Sequence, residues 1–251
     1  MSATPPDRTV SAAVLVIGDE ILSGRTKDRN IGHIADYLTA IGIDLREVRV
    51  VPDVEDEIVA AVNALRARYD HVFTTGGIGP THDDITADAI AKAFGVPIDV
   101  DERAVAMLLE RIPRSDLNQA RLRMARIPKG ATLIPNSVSK APGFTIGNVH
   151  VMAGVPSIMH AMLDALGPTL PTGRKMHSRS VSAGLKEGDI ATPFGELQAK
   201  FPDVAMGSYP GFLEGVGFTT TLVLRSRDEA RLAEAEAALH AMLAEVRASL
   251  G

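Results

Sequence analysis

The chain has no cysteine among its 251 residues. That absence excludes disulfide bridges, thiolate zinc centres and cysteine nucleophiles. Positive charge is also in deficit. Lys and Arg number 26 against 31 Asp and Glu, a formal charge of -5, which argues against the basic face that non-specific nucleic-acid binding needs. No apolar run approaches the length of a membrane span. Met1 to Thr9 are polar around Pro5-Pro6 and lack the apolar stretch of a secretory signal. A cytoplasmic protein is the expectation. The seven histidines form no H-x-H or H-E-x-x-H pair, and no G-x-S-x-G elbow occurs. His82 alone stands in a loop of interest. With nucleophilic covalent catalysis disfavoured, metal-assisted phosphoryl chemistry remains.

What the chain does have is a glycine loop. Val72-Phe73-Thr74-Thr75 is a short strand pattern, and Ala87 to Phe94 is helical in composition. Between them lie Gly76, Gly77, Ile78, Gly79, Pro80, Thr81, His82, Asp83, Asp84, Ile85 and Thr86. Glycines at 76, 77 and 79 permit positive φ and close approach of a ligand to backbone amides. A helix start behind the loop favours an anion, most simply a phosphate. Asp83 and Asp84 would repel a bare phosphate, so a divalent cation between carboxylates and phosphate oxygens is expected. A plainer reading has Asp84 or Thr86 capping the helix, with Asp88 complementing its dipole.

The flanking pattern is regular. Ala12 to Gly18 reads as a strand buried on both faces, and Asn30 to Ile41 as a helix with apolar 31, 34, 35, 38 and 41. A strand over 44–51 and a helix over 54–69 follow. Alternating strands and helices imply βαβ units, hence a mostly parallel sheet covered on both faces, with ligands at the strands' carboxyl ends. Each of the first three strands places acids at that end: Asp19 and Glu20, then Asp53, then Asp83 and Asp84. Together they suggest a shared metal site. Gly18 to Thr26 only mimics a P-loop, because its glycines have five residues between them, not four, and Arg25 replaces lysine. No G-x-G-x-x-G follows the first strand, so a dinucleotide fold is unsupported.

Further along, a helix is expected over 101–111 and a basic one over 117–126. Arg121, Arg123 and Arg126 there either reach a second phosphate or form a solvated face. Short strands are expected at 132–134, 143–146 and 150–152. Lys140, in the loop from Asn136 to Gly143, is a candidate phosphate ligand. Gly154-Val155-Pro156-Ser157 enters a helix over 158–166, with Ser157 as N-cap or ligand contact. The Gly/Pro-rich stretch from Gly167 to Gly173 marks a boundary, giving domains 1–170 and 171–251. The second reads strand, helix, strand, strand, helix, a small α+β domain. Its last helix, with a seam at Leu232, Ala235, Leu239, Met242 and Val246, is expected on its own sheet.

These residues carry a resemblance. Ile17-Gly18-Asp19-Glu20-Ile21-Leu22-Ser23-Gly24, the Asp28/Asn30 pair, Val51-Pro52-Asp53 and the loop from Gly76 to Thr86 resemble the competence/damage-inducible protein A family. The similarity continues through Asn118-Gln119, Ile127 to Ala131, Ala141 to Phe144, Gly154-Val155-Pro156 and Gly207 to Pro210. That family shares the three-layer α/β molybdopterin-binding fold of MoaB and MogA, a domain type that also begins eukaryotic FAD synthase. Two departures stand out: Ala153 and Ile158 replace a proline and a glutamate of the family pattern. No further nicotinamide-nucleotide amidase domain is expected, so deamidation is not.

The resemblance implies two chemistries. One is metal-dependent hydrolysis of a nucleotide diphosphate such as ADP-ribose or FAD. The other is molybdopterin binding and adenylylation in molybdenum cofactor biosynthesis. A non-catalytic nucleotide-binding module is the third reading. Asp53 and Asp84 are the expected catalytic pair. Asp19, Glu20 and Asp83 join them around Mg²⁺, Mn²⁺ or Co²⁺, while Gly76, Gly77, Gly79, Thr81, Thr86 and Lys140 hold phosphate or substrate. Expected partners are a nucleotide or pterin and further copies of the chain, with no nucleic acid and no membrane.

Overall fold

A computed structural model describes residues 8–213 and 217–250. Pro5-Pro6, and Val216 at the start of an expected strand, lie outside the described residues. The first unit, through Gly173, contains β1 (Val10–Ile17), the single turn α1 (Asp19–Leu22), α2 (Asn30–Ile41), β2 (Ile43–Val51), α3 (Glu55–Arg68), β3 (His71–Thr75) and α4 (Thr86–Phe94). It continues with β4 (Ile98–Val100), α5 (Glu102–Leu109), α6 (Gln119–Arg123), β5 (Arg126–Pro128), β6 (Thr132–Ile134), β7 (Gly143–Ile146), β8 (Val149–Met152) and α7 (Pro156–Leu166).

Six strands form one sheet in the order β2-β1-β3-β8-β7-β6. β2, β1, β3 and β8 are parallel, and β7 and β6 return antiparallel. The apolar run of β1 is explained by cover on both faces. Ala13, Leu15 and Ile17 pack with Ile58, Val62 and Leu65 of α3 and Ile90 of α4. Ala12, Val14 and Val16 pack with Ile34 and Leu38 of α2 and Met159 and Leu163 of α7. The result is three layers, helix–sheet–helix. β2 lies on one side of β1 and β3 on the other, so strand order reverses between β1 and β3. That switch point is where open α/β sheets leave a crevice at the carboxyl ends.

The expected basic helix over 117–126 is cut short. α6 stops at Arg123, and Arg126 to Pro128 pair antiparallel with β4 instead. The strand partner lies some 28 residues back in the chain, a pairing that local helical spacing does not reveal.

The second unit, Arg174–Gly251, contains β9 (His177–Ser182), α8 (Glu187–Lys200), β10 (Ala205–Leu213), β11 (Gly217–Ser226) and α9 (Glu229–Leu250). Its antiparallel sheet has the order β10-β11-β9. β10 runs through Tyr209-Pro210-Gly211, a sequence with turn character, because an edge strand tolerates proline. Leu232, Ala235, Leu239 and Leu243 of α9 pack with Ile190 and Phe194 of α8 and Leu222 and Leu224 of β11. The seam of the last helix is thus buried on its own sheet.

Candidate functional site

Three loops meet at the carboxyl ends of β1, β3 and β8. The Gly76 amide donates to Met152 O at 3.2 Å, tying the glycine loop to β8. Gly76 has φ +104°, and a Cβ there would lie 2.1 Å from Ile17 O. Only glycine fits between β1 and β3 in that conformation. Gly77 has φ +66°, and its absent Cβ leaves room for the Thr86 hydroxyl. Gly154 lies against Gly76, its own Cβ position 3.2 Å from Gly76 Cα. Asn30 Nδ2 donates to Gly154 O at 2.8 Å and so fixes the third loop to the start of α2.

Asp84 folds the glycine loop. Its Oδ2 accepts the Thr81 amide at 2.8 Å and the Thr81 hydroxyl at 2.5 Å. A Cβ on Gly79 would stand 2.6 Å from the same oxygen. Asp53 Oδ2 accepts the Asp19 amide at 3.0 Å, which ties the ends of β1 and β2. Burial raises the Asp53 carboxyl above its ordinary pKa, and the negative charges of Asp19, Glu20 and Asp83 push the same way. The acids of three strand ends therefore share one electrostatic neighbourhood.

A cavity of about 630 Å³ opens over this floor. Gly76, Gly77 and Gly79 line it, together with Glu20, Thr26 and Asp84. Leu108, Ile112, Met124, Val155, Ile158 and Met162 supply an apolar wall. Arg111 also lines it, with Nη1 donating to Val138 O. The volume lies in the range of small-molecule sites, and the division into polar residues and an apolar wall suits a ligand that joins phosphates to a flat ring.

The carboxylates do not close into a metal cage: among the described residues no three His, Asp or Glu side chains are arranged to hold an ion. The donor chemistry nonetheless fits a hard cation. All the candidates are oxygen ligands, and Asp53 is crowded by negative charge that a cation would neutralise. Mg²⁺-like ions take one or two carboxylates and complete their shell with water and phosphate oxygens. The residues fit an ion shared with a ligand.

Several expected roles differ in the structure. Thr86 is fully buried and donates its hydroxyl to Gly76 O at 3.0 Å, with its amide donating to Gly77 O at 3.0 Å. It braces the loop from behind instead of meeting a ligand. It also does not cap α4, whose N-cap position is Ile85 without a side-chain bond. Lys140, with φ +66°, directs its ammonium to Glu110 Oε2 at 2.7 Å, although its neighbours Ser139 and Ala141 do line the cavity. Ser157 is not an N-cap, since α7 opens at Pro156.

Asp83 and His82 are exposed. Arg126 forms a two-pronged pair with Asp88 at 2.8 and 2.6 Å, and Arg121 donates to Asp116 O at 2.5 Å. Arg123 donates to Asp84 O at 3.1 Å and so supports the loop. Arg111 and Thr26 were not foreseen as cavity residues. Arg111 ends a helical run with no local motif, and Thr26 lies in the stretch that only mimics a P-loop.

Residues 13–172 match the family model described as probable molybdopterin binding domain, and residues 175–249 match one described as FAD synthase, middle domain. A CinA-like protein of Citrifermentans bemidjiense is 41% identical over 204 residues, which span 79% of this chain and 48% of that one. A protein of Caldivirga maquilingensis is 39% identical over 194 residues, spanning 74% of this chain and 76% of that one. The crystal structure of the protein CinA, of unknown function, from Thermoplasma acidophilum aligns with a TM-score of 0.61 at 38% identity. That alignment covers 64% of this chain and 98% of the other.

Proposed function

Because the chain belongs to the molybdopterin-binding domain family, in its competence/damage-inducible protein A branch, we propose that it binds a nucleotide diphosphate and hydrolyses it with a divalent cation. Substrates of the ADP-ribose or FAD type have both parts the cavity accommodates, a diphosphate and a flat ring. The carrying observation is a cavity that brings Gly76, Gly77 and Gly79 together with the carboxylates of Glu20 and Asp84, close to an Asp53 whose pKa is raised by burial and then by the charges of Asp19, Glu20 and Asp83. Such crowding is costly unless a cation relieves it.

In this reading the amides of Gly77 and Gly79 cradle the phosphates, Gly76 shapes the loop with its own amide held by Met152 O, and Thr81 holds the loop through Asp84. Glu20 and Asp84, the two carboxylates of the cavity lining, would hold the cation together with phosphate oxygens and water, with Asp19 and Asp83 adding negative charge around it. A cation bound there supplies charge neutralisation and a more acidic water. Asp53 accepts the proton of the attacking water. One phosphorus–oxygen bond forms as the bridging one breaks, releasing AMP and ribose 5-phosphate from ADP-ribose. Incubation with ADP-ribose or FAD and Mg²⁺, Mn²⁺ or Co²⁺ is expected to release AMP. Absence of metal-dependent AMP with every combination contradicts the proposal.

A second reading, molybdopterin binding or adenylylation, is favoured by the family match over residues 13–172. Retention of a fluorescent pterin on purification, or ATP turnover only when pterin is supplied, would select it. A purely binding role predicts tight nucleotide binding and no chemistry affected by Asp84→Ala.

A further inference from the structure

Beside the main cavity, a smaller one of about 60 Å³ lies under the first turn of α2. The two share Glu20, Thr26, Gly76, Gly154 and Pro156. Two side chains of the smaller cavity carry buried polar atoms with no hydrogen-bond partner among the described residues. They are Asn30 Oδ1, on a residue 4% exposed, and Thr75 Oγ1, on a residue 1% exposed. Burying such groups unpaired is unfavourable, so each calls for a partner.

Their chemistry narrows that partner to a hydrogen-bond donor. Asn30 Nδ2 is committed to Gly154 O, which fixes the amide orientation and leaves Oδ1 as a pure acceptor. Asp28 Oδ1 is occupied by the amides of Asn30 and Ile31 at 3.0 and 2.8 Å. Thr75 can donate or accept. A phosphate oxygen cannot satisfy Asn30, because it only accepts; a partner for both side chains must donate to Asn30 and can take the proton that Thr75 offers. A hydroxyl does both at once. The cavity exceeds the roughly 10–15 Å³ that one water needs, and it opens directly off the glycine floor.

We propose that Asn30 and Thr75 form a hydroxyl-recognition subsite, which takes a sugar hydroxyl of a ligand whose diphosphate lies on the glycine loop. The subsite rests on the nucleotide-diphosphate reading and gives it specificity for a polyol next to the phosphates. A site built to bond a hydroxyl discriminates strongly against analogues that lack it.

The test is calorimetric titration of the full chain with ADP-ribose and with two analogues, each lacking the 2- and 3-hydroxyls of one ribose, in wild type and Thr75→Val. The wild type is expected to bind one analogue at least tenfold more weakly than ADP-ribose. Thr75→Val is expected to weaken ADP-ribose binding about tenfold, leave that analogue unchanged, and keep or raise Tm, since no protein bond is lost. Equal affinities of wild type for all three ligands, or indifference of ADP-ribose binding to Thr75→Val, overturn the subsite and leave the cavity to water. Hydroxyl discrimination without AMP release would overturn the hydrolase reading alone. Absence of binding by ADP-ribose overturns both.

Discussion

The two ends of β3 and β8 handle buried polar groups in opposite ways. At the amino ends everything is paired. His71 Nε2 faces Pro171 O at 3.2 Å, His71 Nδ1 faces His150 Nε2 at 3.0 Å, and His150 Nδ1 faces the Thr145 hydroxyl at 3.0 Å. Because a carbonyl only accepts, His71 carries its proton on Nε2, His150 donates to it, and Thr145 donates to His150. Asp70 Oδ2 accepts from the amide and hydroxyl of Ser11 at 2.9 and 2.8 Å. At the carboxyl ends, Thr74 and Thr75 hydroxyls and Asn30 Oδ1 are buried without partners among the described residues, and carboxylates crowd Asp53. A saturated end serves the fold; an open end serves a ligand.

The largest expected effect comes from disturbing the open end where it is most tightly packed. Gly76→Ala forces a Cβ onto Ile17 O and a side chain into positive φ. Urea unfolding is expected to show a loss of about 2–5 kcal/mol, together with loss of ADP-ribose binding.

Asp53→Asn separates function from stability. The raised pKa means the folded state holds the Asp53 proton more tightly than the unfolded chain. The ionised carboxylate therefore costs stability once pH exceeds its folded pKa. The amide can still accept the Asp19 N–H, so Tm at neutral pH is expected to hold or rise while AMP release falls about 10²–10³-fold, as for loss of one transition-state contact. A fall in Tm would mean that Asp53 belongs with the saturated groups.

Acid should attack the saturated end. Burial pushes His150 down to about 3, and lowers His71 as well. Both folded-state values lie below the unfolded one, so the pair's contribution is fully present above about pH 6.5. It is lost as pH falls from 6.5 toward 3, because the unfolded chain then binds more protons. Unfolding free energy is expected to decline by up to about 1.4 kcal/mol per pH unit for each histidine that titrates in this way. Replacing His150 with leucine is expected to flatten that slope.

The smallest effect is the sharpest comparison. Thr145→Val removes the hydroxyl that faces His150 and is expected to cost about 1–3 kcal/mol. Thr75→Val, two strands away in the same sheet and at the open end, is expected to cost nothing in the free protein. Thermal melts of the two variants side by side check the difference.

The sequence made some of this legible and hid the rest for physical reasons. The span of α2, Asn30–Ile41, follows from apolar spacing and Gly42 alone. The three acidic strand ends follow from βαβ alternation, because parallel strands put their carboxyl ends on one edge. β5 did not, because a three-residue strand exists only through pairing with β4. Thr86 and Lys140 were misjudged because their partners, Gly76 O and Glu110, are set by how loops fold back. The His71–His150 pair is 79 residues apart and has no motif. Residue type located the glycine loop; the contacts that brace it are tertiary.

Whether cation and diphosphate meet on the glycine floor is decided most directly by thermal shift with ADP-ribose, Co²⁺, and both together. The account predicts that the combination raises Tm by more than the sum of the two alone, since each completes the other's shell. No shift beyond the separate additions would contradict it.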